Sequence, residues 1–249
     1  MIDTNKELGG RVAIVTGAGR NIGRAIALHL AAGGAAIVVN ARSNKEQAEA
    51  VVKEIEAAGG RAVAFMGDVT DAAAMNRMAA LAVERYGRID YLINNAALRR
   101  EKSFAEMTLA EWREILDVIL DGAFICVKAC LPYLRKSGVG AIVNIGGLSA
   151  HTGAKDRAHV VTAKAGLVGF TRALANDLAD DNITANYVSP GRINTPRVKE
   201  PSHHHTHNTI SGKLGTPEDI ATTTRFLCGP GARYITGQSI HVNGGAFLG

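Results

Sequence analysis

The chain has 249 residues, 47% hydrophobic and 20% charged, which suffices for one sizeable core and matches the balance of a globular protein. Its net charge of +5 comes from 28 Lys and Arg scattered among 23 Asp and Glu, with no basic stripe interleaved with aromatics, so nucleic acid is not an expected partner. Cys126, Cys130 and Cys228 form no C-x-x-C pair, the opening MIDTNKELGGRVAIV lacks a signal-like apolar run, and the uncharged stretches 25–41 and 137–154 are broken by glycines. Disulfides, a secretory signal and membrane spans are therefore not expected, and the location expected is the cytoplasm.

Short β-branched runs recur along the chain: RVAIVT (11–16), AAIVVN (35–40), RAVAFMG (61–67), IDYLIN (89–94), GAIVNIG (140–146), NITANYVS (182–189) and QSIHVNG (238–244). Between them, apolar residues at three and four spacing predict helices over 22–32, 44–58, 72–86, 108–135 and 159–179. Alternation of this kind needs right-handed crossovers and a parallel sheet covered on both faces. The expected fold is α/β: a doubly wound, seven-stranded parallel Rossmann-type sheet, in a single domain over 1–249.

After the first run comes TGAGRNIGRAIALHL (16–30), with Gly17, Gly19 and Gly23 where a strand must turn tightly into a helix. Such a turn lets backbone approach a pyrophosphate at the helix N-terminus, which makes Gly17, Arg20, Asn21, Ile22 and Gly23 candidate dinucleotide-binding residues. At the end of the second run, VVNARSN (38–44) offers Asn40, Arg42 and Ser43, and no acid comes before Glu46. A carboxylate there would favour NAD by accepting from the adenosine ribose and repelling a 2′-phosphate. Arg42 and Arg20 instead predict NADP(H).

Together these segments resemble a short-chain dehydrogenase/reductase of the 3-oxoacyl-ACP-reductase type over nearly the whole chain. TGAGRNIG is similar to that family's T-G-x-x-x-G-x-G, with Asn21 in place of the middle glycine. GDVTD (67–71) implies adenine contacts for Asp68 and Val69, and NNAA (94–97) places Asn95 and Ala96 along the cofactor, with Ala97 where the family has glycine. SPGRINT (189–195) resembles the segment beside the nicotinamide, implying roles for Pro190, Gly191, Ile193 and Thr195, and ITGQSIHVNGG (235–245) resembles the family's last strand. The resemblance also implies a homotetramer acting on a small molecule.

The family's acid-base groups are largely missing. Its lysine is present as Lys164, but the tyrosine position four residues before it is Val160, the serine position is Gly147 and the asparagine position is Ile119. None of these three has a titratable group. Lys164 still suits the nicotinamide ribose. Ser149, two residues past Gly147 in what reads as an extended segment, and His151 in the same loop are candidates for holding and protonating a substrate oxygen. His159 is a weaker one, turned about 100° from the Val160/Lys164 face.

The segment 196–212, PRVKEPSHHHTHNTISG, stands where the family has a substrate lid and brings together His203, His204, His205 and His207, either as a lid that supplies a proton donor or grips an anionic substrate or as a solvated loop. A run of adjacent histidines with no cysteine and one nearby acid fits a tetrahedral site poorly, so no metal is expected. Arg99, Arg100 and Lys102 follow NNAA and would suit an acidic or phosphorylated substrate. Three readings stay open: an NADP-dependent reductase or alcohol dehydrogenase with a displaced proton donor, an NADP(H)-binding protein without hydride transfer, and non-redox chemistry such as elimination or hydration in the same cleft.

Overall fold

The computed structural model describes residues 6–196 and 209–249. Seven strands form one parallel sheet: β1 (Val12–Val15), β2 (Ala36–Ala41), β3 (Arg61–Met66), β4 (Tyr91–Asn94), β5 (Ala141–Ile145), β6 (Thr184–Pro190) and β7 (Ser239–Val242). Their order is β3-β2-β1-β4-β5-β6-β7, with every neighbouring pair parallel. β1, β2, β4, β5 and β6 are buried along their whole length, which is why they read as continuous apolar runs and not as alternation. The order reverses between β1 and β4, and there the carboxyl ends of the strands open a crevice.

The helices are α1 (Asn21–Ala32), α2 (Lys45–Ala57), α3 (Ala72–Tyr86), α4 (Leu109–Leu116), α5 (Gly122–Ser137), the one-turn α6 (Ser149–Thr152), α7 (Ala158–Asp177) and α8 (Pro217–Cys228). The single helix expected over 108–135 is divided: a π-helical turn, Asp117–Asp121, separates α4 from α5. Apolar spacing does not report a local i→i+5 bond, and such turns concentrate at functional sites. α8 begins with a capping box, Thr216 with Asp219, and Pro217 in its first turn; its three threonines blur the apolar stripe.

Two apolar layers cover the sheet. One packs Ile22, Ile26 and Leu30 of α1 with Ile220 and Leu227 of α8; the other packs Met75 and Met78 of α3 with Cys126 and Cys130 of α5. The three cysteines are buried free thiols, and burial pushes that of Cys126 up to about 12. Among the described residues no helix is long and apolar enough to cross a membrane.

Candidate active site

A cleft of about 930 Å³ runs along the carboxyl ends of the strands. At one end, β1 turns into α1 through Gly17, whose φ of +60° favours a residue without Cβ. Asn21 stands where the family has its middle glycine and also adopts a left-handed φ, +49°, a conformation asparagine tolerates better than most. Gly23 is required by space: a Cβ there would run into the Gly17 carbonyl and the Asn95 amide.

Hydrogen bonds hold this turn. Asn95 Nδ2 donates to the carbonyls of Thr16 (2.9 Å) and Gly17 (3.0 Å), while Thr16 Oγ1 accepts from the N–H of Asn95 and of Ala96. Asn40 is buried; it donates to Gly67 O at 3.0 Å and accepts from Gly17 N at 3.4 Å. Asn40 and Asn95 are thus struts of the turn. No side chain caps α1 and no acid lies in its first turn, which leaves its N–H groups available to an anion. Arg20, Arg42 and Ser43 line the same end and are exposed, and Arg42 Nη1 lies 3.9 Å from Asp68. Glycine cradle, uncapped helix and flanking arginines fit a phosphorylated dinucleotide.

Of the residues expected to hold the cofactor, Gly17, Arg20, Asn21, Ile22, Gly23, Arg42, Ser43, Asp68, Val69, Asn95, Ala96, Lys164, Pro190, Gly191 and Thr195 all line the cleft. Ile193 does not. Its apolar side chain is buried in the core beside α8 and its backbone bridges to Gly215, so the core claims it.

At the other end, Gly147, Ser149 and Lys164 line the cleft. Ser149 is not in an extended segment as expected; it opens the short helix α6, Leu148 before it already being helical. Lys164, on α7, is buried and its Nζ donates to Gly146 O. A Cβ on Gly147 would stand 3.0 Å from that Nζ, so the missing serine side chain leaves the ammonium open to the cleft. Burial, reinforced by the charges of Arg99 and Arg157, holds the Lys164 amine well below the usual lysine range.

The remaining family positions have become core. Val160 and Ile119, the latter inside the π-helical turn, share an apolar cluster with Ile115, Ala163, Leu167 and the buried ring of Tyr187. Tyr187 fills the space a side chain on Gly146 would need, and its hydroxyl accepts from Gly147 N at 3.0 Å. Burial pushes its phenol up to about 12, so it is neutral. Neither Tyr187 nor Arg157, which is buried and lines the cleft, was singled out from the sequence. The glycine pair ending β5 was the one signal of a bulky neighbour.

His151 does not line the cleft. Its ring packs on those of His241 (4.6 Å between centroids), Phe247 (5.5 Å) and Tyr187 (5.8 Å), and burial, then His241, lowers its proton affinity. His159 is fully buried and also lines no part of the cleft. Arg100 donates to Glu114 at 2.7 Å, and Lys102 lies 3.9 Å from both Glu106 and Glu111, so these charges are engaged with α4 and the turn before it. His203 to His207, and the lid apart from Pro196 and 209–212, lie outside the described residues. Among the described residues no three His, Cys, Asp or Glu gather as metal ligands.

Comparison with known proteins agrees with this geometry. A family model described as enoyl-(acyl carrier protein) reductase matches residues 17–246. The 3-oxoacyl-[acyl-carrier-protein] reductase FabG of Staphylococcus aureus is 38% identical over 240 residues, covering 95% of this chain and 98% of that protein. A dehydrogenase/reductase from Sinorhizobium meliloti superposes with a TM-score of 0.92 at 35% identity, covering 98% of each chain. A short chain dehydrogenase from Burkholderia cenocepacia, solved in complex with NADP, gives 0.90 at 33% identity over 96% of this chain and 99% of that one. Likeness of this extent, in sequence and in fold together, makes the chain a member of the short-chain dehydrogenase/reductase family.

Proposed function

We propose that the chain is an NADP(H)-dependent carbonyl reductase in which Lys164 supplies the proton. The observation that carries this is the Lys164 ammonium, open to the cleft where the side chain of residue 147 is missing. The Gly17 to Gly23 turn and the α1 N–H groups would hold the pyrophosphate, Arg20, Arg42 and Ser43 the 2′-phosphate, and Asp68 and Val69 the adenine. Pro190, Gly191 and Thr195 would flank the nicotinamide, with Lys164 on its ribose. The relative solved with NADP, and relatives named as reductases, support this cofactor and reaction.

When bound, the reduced nicotinamide supplies the hydride that adds to the carbonyl carbon. The proton must reach the carbonyl oxygen from this chain or from water. Lys164 Nζ–H is the positioned donor, and the amine left behind is reprotonated from solvent. Its depressed proton affinity makes it a readier proton donor than an ordinary lysine. Ser149 Oγ would hold the same oxygen. A homotetramer remains part of the proposal, to be read from light scattering.

Binding without hydride transfer is the second reading, favoured by Val160 and Ile119 lying in an apolar cluster. Stopped-flow mixing of the NADPH complex with aldehydes, ketones and 3-oxo compounds separates the two. Loss of NADPH absorbance with even one of them supports the reductase, and no turnover with any supports the binding protein.

A further inference from the structure

Lys164 carries its amine on a flexible four-carbon stem, so what the Nζ bonds is what places it. Val160, one turn before it, has nothing to bond with, and residue 147, whose Cβ would stand 3.0 Å from the Nζ, has no side chain. The Nζ instead donates to backbone, at Gly146 O. The place of the amine therefore depends on the orientation of one peptide unit, that joining Gly146 to Gly147.

Backbone bonds to β6 flank this unit, Gly146 N donating to Val188 O at 2.8 Å and Leu148 N to Pro190 O at 2.9 Å. Between them the Gly147 N–H goes to a side chain. The Tyr187 hydroxyl accepts it at 3.0 Å and donates its own hydrogen to Gly147 O at 3.4 Å. Ring and glycine require one another, since a Cβ on Gly146 would fall 1.8 Å from the Tyr187 Cζ and Oη. Tyr187 is fully buried and does not line the cleft, so it touches neither cofactor nor substrate.

Resting on the reading of Lys164 as proton donor, we propose that Tyr187 is a positioning residue for the reaction: its hydroxyl fixes one end of the Gly146 to Gly147 peptide and so holds the carbonyl at the other end, on which Lys164 Nζ is seated. A peptide whose N–H is hydrogen-bonded carries more negative charge on its oxygen, and that favours an ammonium over a neutral amine beside it. Tyr187 thus acts on Lys164 through this peptide twice, by direction and by charge.

Competitive labelling with trace acetic anhydride, read at Lys164 by peptide mass spectrometry across pH, follows its ionisation without any turnover. Tyr187→Phe keeps the ring and removes the hydroxyl. It should lower the Lys164 midpoint by about half a pH unit and slow single-turnover NADPH oxidation by 3-oxobutanoate by about threefold to tenfold, with the rate profile displaced to lower pH by the same amount. In the Lys164→Met background the same change should leave the residual rate within about twofold, because the group that Tyr187 places is gone. Arg99 and Arg157, whose charges bear on Lys164, and His151, against the Tyr187 ring, are unchanged by the substitution, so a moved midpoint belongs to the hydroxyl. A midpoint unmoved or raised in folded Tyr187→Phe protein, or an equal fractional loss of rate with and without Lys164, would overturn the proposal and leave the reductase standing. A lowered midpoint with no carbonyl compound turned over would keep Tyr187 as the group that seats Lys164 and remove the reductase. Should Tyr187→Phe not fold, the parent protein decides: with tyrosine isotopically labelled at Cζ, the Tyr187 resonance should shift at the Lys164 midpoint, and a resonance flat through that midpoint would equally overturn the proposal.

Discussion

The two halves of the cleft differ in what holds them together. From β1 to β4 the walls are polar struts: Thr16, Asn40 and Asn95 hydrogen-bond the backbone into one conformation, and Gly17 and Gly23 leave the space a cofactor needs. Around β5 and α7, two of the positions that carry a proton relay in the family, Val160 and Ile119, pack as core with the Tyr187 ring, and the third, Gly147, has no side chain. Lys164 is what the second half keeps, buried with its Nζ on the Gly146 carbonyl. The two halves thus rest on different physical supports, hydrogen-bonded backbone in one and apolar packing in the other, so either can change without the other.

The largest effect expected is from Gly23→Val, which pushes a side chain into the Gly17 carbonyl and Asn95 and should abolish NADPH binding by calorimetry. Thermal protection by NADPH equal to that of the parent would show that the polar half is not the cofactor half. Lys164→Met should lower single-turnover reduction by about 10²- to 10⁴-fold. It should also leave melting unchanged or raise it. The reason lies in proton uptake: folding depresses the affinity of Lys164 for its proton, so the unfolded chain binds more protons, and this buried group costs stability at neutral pH and less as pH rises towards the unfolded lysine value.

Arg42→Asp sharpens the comparison within the cofactor half. It should exchange NADPH preference for NADH, weakening NADPH by about 10- to 100-fold, as expected for losing charge-assisted hydrogen bonds to a phosphate. His151→Ala, outside the cleft, should change turnover by less than about threefold while lowering the melting temperature by a few degrees through lost ring packing. A large loss of turnover with unchanged stability would return His151 to the chemistry.

Strand-helix alternation made the sheet legible, since five of its strands are buried end to end and show as unbroken apolar runs. The glycine turn was legible for a similar reason: its residues answer to backbone geometry, which spacing reports. Side-chain direction was not. His151 lies two residues after Ser149, and both sit in α6, yet only Ser149 lines the cleft, a distinction that requires knowing that the segment is helical. Ile193 sits in a motif of cofactor residues but follows its apolar side chain into the core. Tyr187 reaches Gly147 from a different strand, a contact 40 residues apart that no local pattern encodes.

The most direct test of the contrast between the halves is the pH dependence of single-turnover NADPH oxidation by 3-oxobutanoate at saturating cofactor, in the parent and in Lys164→Met. Because the amine donates only when protonated, the parent rate should be highest at low pH and fall as pH rises through a depressed lysine ionisation, whereas the variant should be slow and flat. A parent profile reproduced by Lys164→Met, or no hydride transfer at any pH, would contradict the account.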